Sequence, residues 1–189
     1  MSLKHALLGF LNYKGMTGYD LKQCFDQSIK YFWNANLSQI YPTLNQMEQE
    51  GLLSMRVEYQ ENRPNRKVYH ITGAGRKELQ RWLREPAEPS PLRLAFLIKV
   101  FFGGNLRKEE IITLLRHDLE SHRKVLSMYE GSVKQALAER IEETGQRREG
   151  FFWGLPLEMG IKNERAWVQW LEETIKKVEP GVKRSGRIV

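Results

Sequence analysis

The order of the structural elements is decided by residues 37–71, which read LSQIYPTLNQMEQEGLLSMRVEYQENRPNRKVYHI. In the first part of this stretch, Ile40, Leu44 and Met47 recur at helical spacing, which predicts a helix over residues 37–50. After it, the period of the apolar residues changes to two, as in half-buried strands. The stretch therefore predicts a helix followed directly by a β-hairpin.

Because this helix contains a proline, the pattern allows two positions for its first residue. Either the helix proper begins near Tyr41, with Pro42 in its first turn, or the first turn is kinked. Its end is clearer, because Gly51 followed by an apolar residue is a common helix stop.

The predicted hairpin has a basic tip. Alternating residues from Met55 to Tyr59 form its first strand, Glu61–Arg66 form the turn and Lys67–Ile71 form the second strand. Cations are concentrated in this part of the chain, because residues 51–84 hold eight basic side chains and three acidic ones. The hairpin is therefore a candidate site for an anionic partner.

Helical patterns flank this stretch on both sides. Residues 3–11 are amphipathic, and Thr17 with Asp20 forms a variant capping box for a second helix, with Cys24 on its apolar face. Thr72 is placed to cap a helix after the hairpin. The order helix, helix, helix, hairpin, helix is that of a winged helix-turn-helix, in which the third helix enters the DNA major groove beside a wing.

The side chains in this arrangement suit DNA. Base edges are read by side chains that donate and accept hydrogen bonds, and phosphates are contacted by cations. The third helix supplies polar candidates at Ser38, Gln39, Thr43, Asn45 and Gln46. The wing supplies cations at Arg63, Arg66 and Lys67. Either feature alone is more often a solvated face or a protected strand edge, but the two together favour binding of double-stranded DNA.

Motifs along the chain resemble those of the PadR family of bacterial transcriptional regulators. They are Gly18-Tyr19-Asp20-Leu21, Ser38-Gln39-Ile40-Tyr41-Pro42-Thr43-Leu44, Glu48-Gln49-Glu50-Gly51-Leu52 and Arg66-Lys67-Val68-Tyr69-His70-Ile71-Thr72-Gly73-Ala74-Gly75. Residues 96–102 and 167–172 are similar to the helical, virulence-activator-type C-terminal domain of the longer subgroup.

The resemblance implies a homodimer that binds a two-fold operator, often as a repressor. Carried over by position, the residues facing DNA from the recognition helix would be Ser38, Gln39, Tyr41, Pro42 and Thr43. From the wing they would be Arg63, Arg66 and Lys67.

Composition excludes several other classes of protein. The 189 residues include 30 Lys and Arg against 23 Asp and Glu, a formal net charge of +7, which admits an anionic partner without naming it. The single cysteine excludes a disulfide framework and fits the cytoplasm, and we expect no membrane segment.

Catalysis and metal binding are not expected. Asp118 and His122 share a helix face, but His117 and His122 are five residues apart, outside the spacing of a helical zinc site. Cys24 lacks the signature of a nucleophile and is interpreted as a buried thiol. We therefore predict no enzyme, no catalytic residue, no cofactor and no metal.

The second half of the chain is predicted to be helical. From Leu106 an apolar stripe continues at helical spacing for about forty residues, too long for a lone helix, and Gly145 marks its end or a bend. A final amphipathic helix runs from about Ile161 to Val178. We expect these helices to pair across a two-fold axis through the following residues: Ile111, Leu115, Leu119, Leu126, Val133, Leu137, Trp167 and Trp170.

The tryptophans suggest a further partner. Three of the five, Trp153, Trp167 and Trp170, lie in the C-terminal part near Phe151 and Phe152. Such a cluster could line a pocket for a small aromatic effector, although core and interface packing is the commoner role.

The sequence therefore predicts a mainly α protein: an N-terminal winged helix-turn-helix of three helices and a two-stranded wing, and a C-terminal helical dimerisation domain. The expected boundaries are 1–85 for the DNA-binding domain, 86–91 for a proline-rich linker, 92–180 for the dimerisation and sensing domain, and 181–189 for a basic tail. The predicted function is a sequence-specific DNA-binding regulator, a repressor by resemblance. The alternative is a protein-interaction module that uses the helical half and binds no specific DNA.

Overall fold

The computed structural model contains two compact units, Met1–Ser90 and Pro91–Val189, and each is mainly helical. It describes the following residues: 2–29, 32–59, 65–87 and 93–180. Most of the predicted linker and all of the predicted basic tail lie outside these ranges. In the part of the chain that is described, no helix is both long and apolar enough to cross a lipid bilayer.

The first unit is a winged helix-turn-helix, as predicted. Its described elements are α1 Ser2–Leu11, α2 Gly18–Gln27, α3 Leu37–Gln49, β1 Leu53–Glu58, β2 Arg66–Ile71 and α4 Gly73–Arg84. The two strands pair antiparallel. The sequence pattern identified each element because its apolar period and its capping residues indicated the same boundaries.

Two of these helices begin at threonine caps. The Thr17 hydroxyl oxygen accepts a hydrogen bond from the Asp20 N–H at 3.1 Å, and the Asp20 carboxylate accepts one from the Thr17 N–H at 2.9 Å. Thr72 caps α4 by accepting from the Gly75 N–H at 3.1 Å. These bonds satisfy amides that a helix start would otherwise leave free, and they confirm both predicted caps.

Helix α3 passes through Pro42 and begins five residues before it. Of the two alternatives for its start, a beginning near Tyr41 is therefore excluded. The helix can begin early because Asn36 precedes it and its N–H donates to the side-chain oxygen of Gln39 at 3.0 Å. The proline removes one helical N–H, so the Ser38 carbonyl lacks its usual partner four residues later.

The segment before α2 also pairs with the sheet, through a single antiparallel bridge to β2. The Met16 N–H donates to the Tyr69 carbonyl at 3.1 Å, and the Tyr69 N–H donates to the Met16 carbonyl at 2.9 Å. The first strand leaves the core as it advances: Met55 is half-buried, Val57 is exposed and Tyr59 is 85% exposed. The hairpin therefore projects from the unit as a wing.

The core of the first unit contains the predicted apolar face of each helix. Its most buried side chains are Leu7, Leu8, Leu11, Leu21, Phe25, Ile40, Leu44, Met47 and Tyr69. The buried face of α1 is broader than predicted and includes Leu8, because α1 contacts both α3 and α4. Cys24, predicted to be buried, is only half-buried, with its Sγ 3.8 Å from the Met16 Sδ.

The second unit is an antiparallel pair of long helices with a short helix before it. Its described elements are α5 Ala95–Phe101, a 3₁₀ turn Gly103–Asn105, α6 Lys108–Met128, a π turn Tyr129–Val133, α7 Lys134–Thr144 and α8 Arg147–Val178. Gly145 adopts a left-handed backbone with φ of 66° and ends α7. The final helix begins about fourteen residues earlier than Ile161 and continues through Pro156.

The partner of the long apolar stripe lies in the same chain. Ile111, Leu115 and Leu119 of α6 are buried in one cluster with Leu171 and Ile175 of α8. From α6 through the π turn to α7, successive residues meet progressively earlier residues of the last segment, from Glu179 just after α8 back into the helix. The order is Arg116 with Glu179, Arg123 with Glu172, Glu130 with Arg165 and Ile141 with Gly150. The pair is therefore an antiparallel hairpin of helices.

Candidate nucleic-acid interface

Helix α3 divides into a buried and an exposed face. Ile40, Leu44 and Met47 are almost fully buried and fix the helix on the core. The opposite face contains the predicted DNA-reading residues Ser38, Gln39, Tyr41, Pro42 and Asn45, all exposed, with Thr43 half-buried beside them. The structure thus brings these six predicted residues to one polar surface. The seventh candidate, Gln46, is also exposed, and its amide donates to the Glu50 carboxylate at 2.8 Å.

Some hydrogen-bonding groups on this surface are already engaged. The carboxamide oxygen of Gln39 accepts the Asn36 N–H, and the Thr43 hydroxyl donates to the Gln39 carbonyl at 2.7 Å. Gln39 therefore keeps its two amide donors for a base edge, and Thr43 keeps acceptor lone pairs and a methyl group.

Strand β2 contacts one residue of this surface through Tyr69. The Tyr69 hydroxyl lies 3.5 Å from the Asn45 side-chain oxygen. Burial, together with the nearby Glu48 carboxylate and Tyr41, raises the pKa of Tyr69 above its ordinary value. The phenol therefore remains protonated at neutral pH and points its hydroxyl toward Asn45.

The wing cations differ in their surroundings. Arg66 begins β2, and its Nη2 lies 3.2 Å from the Asp20 Oδ2 of α2. Lys67 is exposed, and no carboxylate among the described residues forms an ion pair with it. The third predicted cation, Arg63, lies outside the described residues. Lys67 is thus a described wing residue whose charge is available to a phosphate.

The ion pair at Asp20 is stable over the ordinary pH range. Burial acts to raise the pKa of Asp20, but hydrogen bonds from the Thr17 backbone and hydroxyl, with the charge of Arg66, outweigh it and lower that pKa. The carboxylate is therefore ionised well below neutral pH. The sequence suggested the cap but not the ion pair, because Asp20 and Arg66 are 46 residues apart.

One of the eight basic residues between positions 51 and 84 is occupied within the fold. Arg81 contacts Glu78 and Glu85 on its own helix, α4. Hydrogen bonds from Arg81 and from His5 lower the pKa of Glu78 to about 2. The basic excess between residues 51 and 84 is therefore smaller at the surface than the sequence indicates.

A groove of about 410 Å³ lies within the second unit. It is lined by Arg93, Leu94, Ala95, Phe96, Asp118, His122, Asn163, Glu164 and Trp167. The His122 ring stacks on Trp167 with centroids 4.9 Å apart, and its Nδ1 lies 2.5 Å from the Glu164 Oε2. Asp118 approaches the other ring nitrogen at 3.5 Å. The groove combines flat apolar walls with polar groups.

The predicted aromatic cluster is divided in the structure. Trp167 and Trp170 contact each other with ring centroids 5.4 Å apart, and Phe96 packs against both. Phe151 and Phe152 contact each other at the opposite end of α8 and are exposed. The prediction that these side chains form a single cluster is therefore wrong, because Trp153 and Trp167 are fourteen positions apart on one helix, a separation of about 21 Å.

The predicted dimerisation residues occupy different environments. Ile111, Leu115 and Leu119 are buried within the unit, whereas the rest are half-buried: Leu126, Val133, Leu137, Trp167 and Trp170. Exposed apolar side chains occur elsewhere in the unit, at Leu97, Ile98, Phe101, Phe102, Phe151, Phe152, Leu155 and Met159. The predicted dimerisation set did not include these residues because it followed the stripe with the most regular spacing. His117 is exposed, and the described residues contain no cluster of three or more His, Cys, Asp or Glu side chains arranged to hold a metal ion.

The two units match two known families. Residues 7–81 match the transcriptional regulator PadR-like family, and residues 92–179 match the C-terminal domain of the virulence activator alpha family. The chain is also 30% identical over 178 residues to the negative transcriptional regulator PadR of Bacillus subtilis (strain 168). That similarity covers 94% of this chain and 97% of the relative.

Solved structures show the same architecture. The crystal structure of Bacillus subtilis PadR in complex with operator DNA has a TM-score of 0.81 at 30% identity, covering 94% of this chain and 99% of that one. The same protein in complex with p-coumaric acid has a TM-score of 0.76 at 28% identity, covering 95% and 99%. The Vibrio cholerae virulence activator AphA has a TM-score of 0.72 at 28% identity, covering 94% and 98%. With this similarity along nearly its whole length, the chain belongs to the PadR-like family of transcriptional regulators.

Proposed function

We propose that this protein binds operator DNA as a homodimer and represses transcription. The observation that carries the proposal is the exposed polar face of α3 next to a wing with an available cation. A relative of the same architecture has been crystallised with operator DNA and is named a negative regulator. The protein acts by occupying DNA in the cytoplasm and not by catalysis.

The residues divide into two roles under this proposal. Side chains on α3 read base edges in the major groove, where donor and acceptor patterns distinguish all base pairs. Their candidates are Ser38, Gln39, Tyr41, Pro42, Thr43 and Asn45. The wing cations Arg63, Arg66 and Lys67 contact phosphates, which adds affinity that is independent of sequence.

The second unit is assigned dimerisation, which a two-fold operator requires. Leu115 is fully buried inside the unit and has no surface to offer a second copy. The exposed apolar side chains on α5, Leu97, Ile98 and Phe101, are better placed to be covered by a partner. A dimer must then hold its two recognition helices about 34 Å apart, one turn of DNA.

A small aromatic effector is assigned to the groove in the second unit. Trp167 and Phe96 supply flat apolar surfaces, Arg93 supplies a cation, and Glu164 and His122 supply hydrogen-bonding groups. A planar molecule with an anionic end and a hydroxyl group matches this set, and a relative has been crystallised with p-coumaric acid. Because α6 and α8 both line the groove, a ligand that prefers one packing of these helices would change operator affinity.

DNA titration tests the main proposal. Fragments selected from the source genome should bind specifically, with an affinity that falls steeply as salt rises. Lys67→Ala should weaken binding to all sequences and reduce the salt slope by about one. Lys124→Ala, an exposed lysine of the second unit, is the control. If genomic pools and the upstream region of the gene yield no specific fragment, the protein is not an operator-binding regulator.

Tryptophan fluorescence tests the effector. Titration with p-coumaric acid and a panel of other aromatic acids should give saturable quenching, and Trp167→Phe should remove most of the signal because Trp167 lines the groove. An absence of saturable response across the panel would exclude an aromatic-acid effector at this groove.

A further inference from the structure

The first residue of α2 lies under a side chain of the recognition helix. A Cβ atom added to Gly18 would lie 2.5 Å from the Cε1 and 2.7 Å from the Cζ of Tyr41. Close-packed carbon atoms do not approach to such distances. The Tyr41 ring can therefore rest on the α2 backbone only because residue 18 has no side chain.

The same turn of α2 also holds the base of the wing. The Oδ2 of Asp20 accepts hydrogen bonds from the Thr17 N–H and hydroxyl at 2.9 and 2.7 Å, and the Arg66 Nη2 lies 3.2 Å from it. Arg66 is the first residue of β2 and pairs with Glu58, the last residue of β1. One carboxylate thus joins the cap of α2 to the point where the wing leaves the sheet.

We propose that the first turn of α2, residues 17–20, positions the two parts of the DNA-binding surface relative to each other. Gly18 seats Tyr41 of the recognition helix, and Asp20 holds Arg66 at the base of the wing. Both are positioning residues, since they act through Tyr41 and Arg66. The inference rests on the proposed binding of operator DNA.

Contacts that order DNA-binding side chains in the free protein affect the affinity for DNA. A side chain that is already held in place loses less conformational entropy when it meets DNA, so affinity for the matching sequence rises. Because the recognition helix and the wing both contact the first turn of α2, their positions relative to each other are fixed before they meet the groove and the phosphates. The contacts of Gly18 and Asp20 therefore contribute to specific binding more than to non-specific binding.

A pair of glycine substitutions tests the contact with Tyr41. Gly18→Ala should lower specific DNA affinity about tenfold and leave non-specific binding at low salt nearly unchanged. Gly73→Ala is the matched control, because Gly73 is also the first residue of a helix after a threonine cap and has no atom within 4 Å of its Cβ position. Circular dichroism should show that both variants are folded.

A double-mutant cycle shows whether Gly18 acts through Tyr41. In a Tyr41→Ala background the steric conflict is gone, so Gly18→Ala should have little further effect on specific affinity. Equal effects of Gly18→Ala in both backgrounds, or wild-type affinity of the single variant, would overturn this half of the proposal.

Asp20→Asn tests the contact with Arg66. The amide keeps an acceptor for the Thr17 cap but releases the arginine, so specific affinity should fall while non-specific affinity and the salt slope rise. Asp26→Asn is the control, because it makes the same charge change on the same helix and breaks only a pair with Lys22. If both variants change the ratio of specific to non-specific affinity equally, Asp20 does not position the wing.

The outcomes separate this inference from the function it rests on. A wild-type protein that selects no DNA removes both. A wild-type protein that selects an operator, with variants that bind it like their controls, removes the inference alone. If Gly18→Ala does not fold, the comparison of Asp20→Asn with Asp26→Asn decides the proposal.

Discussion

The side chain of Gln39 serves its own helix as well as the exposed surface. Its carboxamide oxygen accepts the Asn36 N–H, which leaves the NH₂ group and one oxygen lone pair for another partner. A glutamine that binds adenine must present its oxygen to N6 and its NH₂ group to N7, but the oxygen of Gln39 is held toward Asn36. It is therefore suited to acceptors at a base edge, such as the N7 and O6 of guanine.

Substitutions of Gln39 should separate helix capping from base recognition. Gln39→Glu keeps an acceptor for Asn36 and should keep the wild-type melting temperature. Gln39→Ala loses the cap and should lower stability by about 0.5–1 kcal/mol. Both should change the preferred operator sequence, measured by selection from a randomised DNA pool. An unchanged sequence preference in both variants would remove Gln39 from the reading surface.

At the residue scale, helical spacing predicted which side chains of α3 are exposed, because Ile40, Leu44 and Met47 identify the buried face. The roles of these side chains depended on neighbours. The spacing of Asn36 and Gln39 is that of a capping box and could have indicated that half of the Gln39 amide is used. No local pattern could indicate that Arg66 pairs with Asp20, since the fold alone brings them together.

At the element scale, α1 and α4 are joined through a charged network beside the core. His5 is 4% exposed and stacks on Trp82 with ring centroids 4.5 Å apart, and its Nε2 lies 3.1 Å from a Glu78 oxygen. Arg81 donates to both oxygens of the same carboxylate. The Glu78 carboxylate thus connects α1 and α4, the first and last helices of the first unit.

This network should make the first unit sensitive to acid. The pKa of Glu78 falls from 4.5 to about 2 on folding, so its contribution to stability is complete above the unfolded pKa and is lost as pH falls toward 2. Glu78→Gln should lower the free energy of unfolding at pH 7 by about 1 kcal/mol, a modest value because the ion pair is partly exposed.

Chemical denaturation at several pH values measures this contribution. The difference between wild type and Glu78→Gln should shrink steadily from pH 5 to pH 2. Glu58→Gln, an exposed carboxylate on β1, is the control and should show no such trend. A difference that stays constant down to pH 2 would contradict the role of the ionised carboxylate.

Elements with regular periods and caps were predictable, and α8 shows why its start was not. Gly150, Gly154 and Gly160 interrupt the apolar pattern there and have low helix propensity. In the structure two of them face bulky side chains: a Cβ on Gly150 would lie 2.4 Å from the Ile141 Cγ1, and one on Gly160 would lie 3.0 Å from the Tyr129 Cε2. Close packing between helices thus explains why α8 contains these glycines, which in the local pattern indicate a break in the helix.

At the scale of the whole molecule, buried and exposed apolar residues should affect assembly differently. Replacing Ile98 and Phe101 with serine should convert a dimer to a folded monomer, because both side chains are exposed on α5. Leu115→Ala should instead lower stability by about 2–5 kcal/mol and leave the folded protein dimeric, since Leu115 lies inside the unit. Light scattering at micromolar concentration distinguishes these results.

Either of two results would reject this assignment of the interface. In one, the serine variant remains a dimer. In the other, the wild-type protein is itself a monomer, which would also remove the two-fold operator from the proposed function.

A dimer with rigidly spaced recognition helices should measure the distance between operator half-sites. B-DNA turns once in about 10–10.5 base pairs, so inserting five base pairs between the half-sites places the second one on the opposite face of the duplex. Such an insertion should reduce affinity to that of a single half-site. Inserting ten base pairs returns the second half-site to the same face of the duplex but lengthens the distance between the half-sites, so it should restore little of the affinity. Equal affinity for all three spacings would show that the recognition helices bind independently.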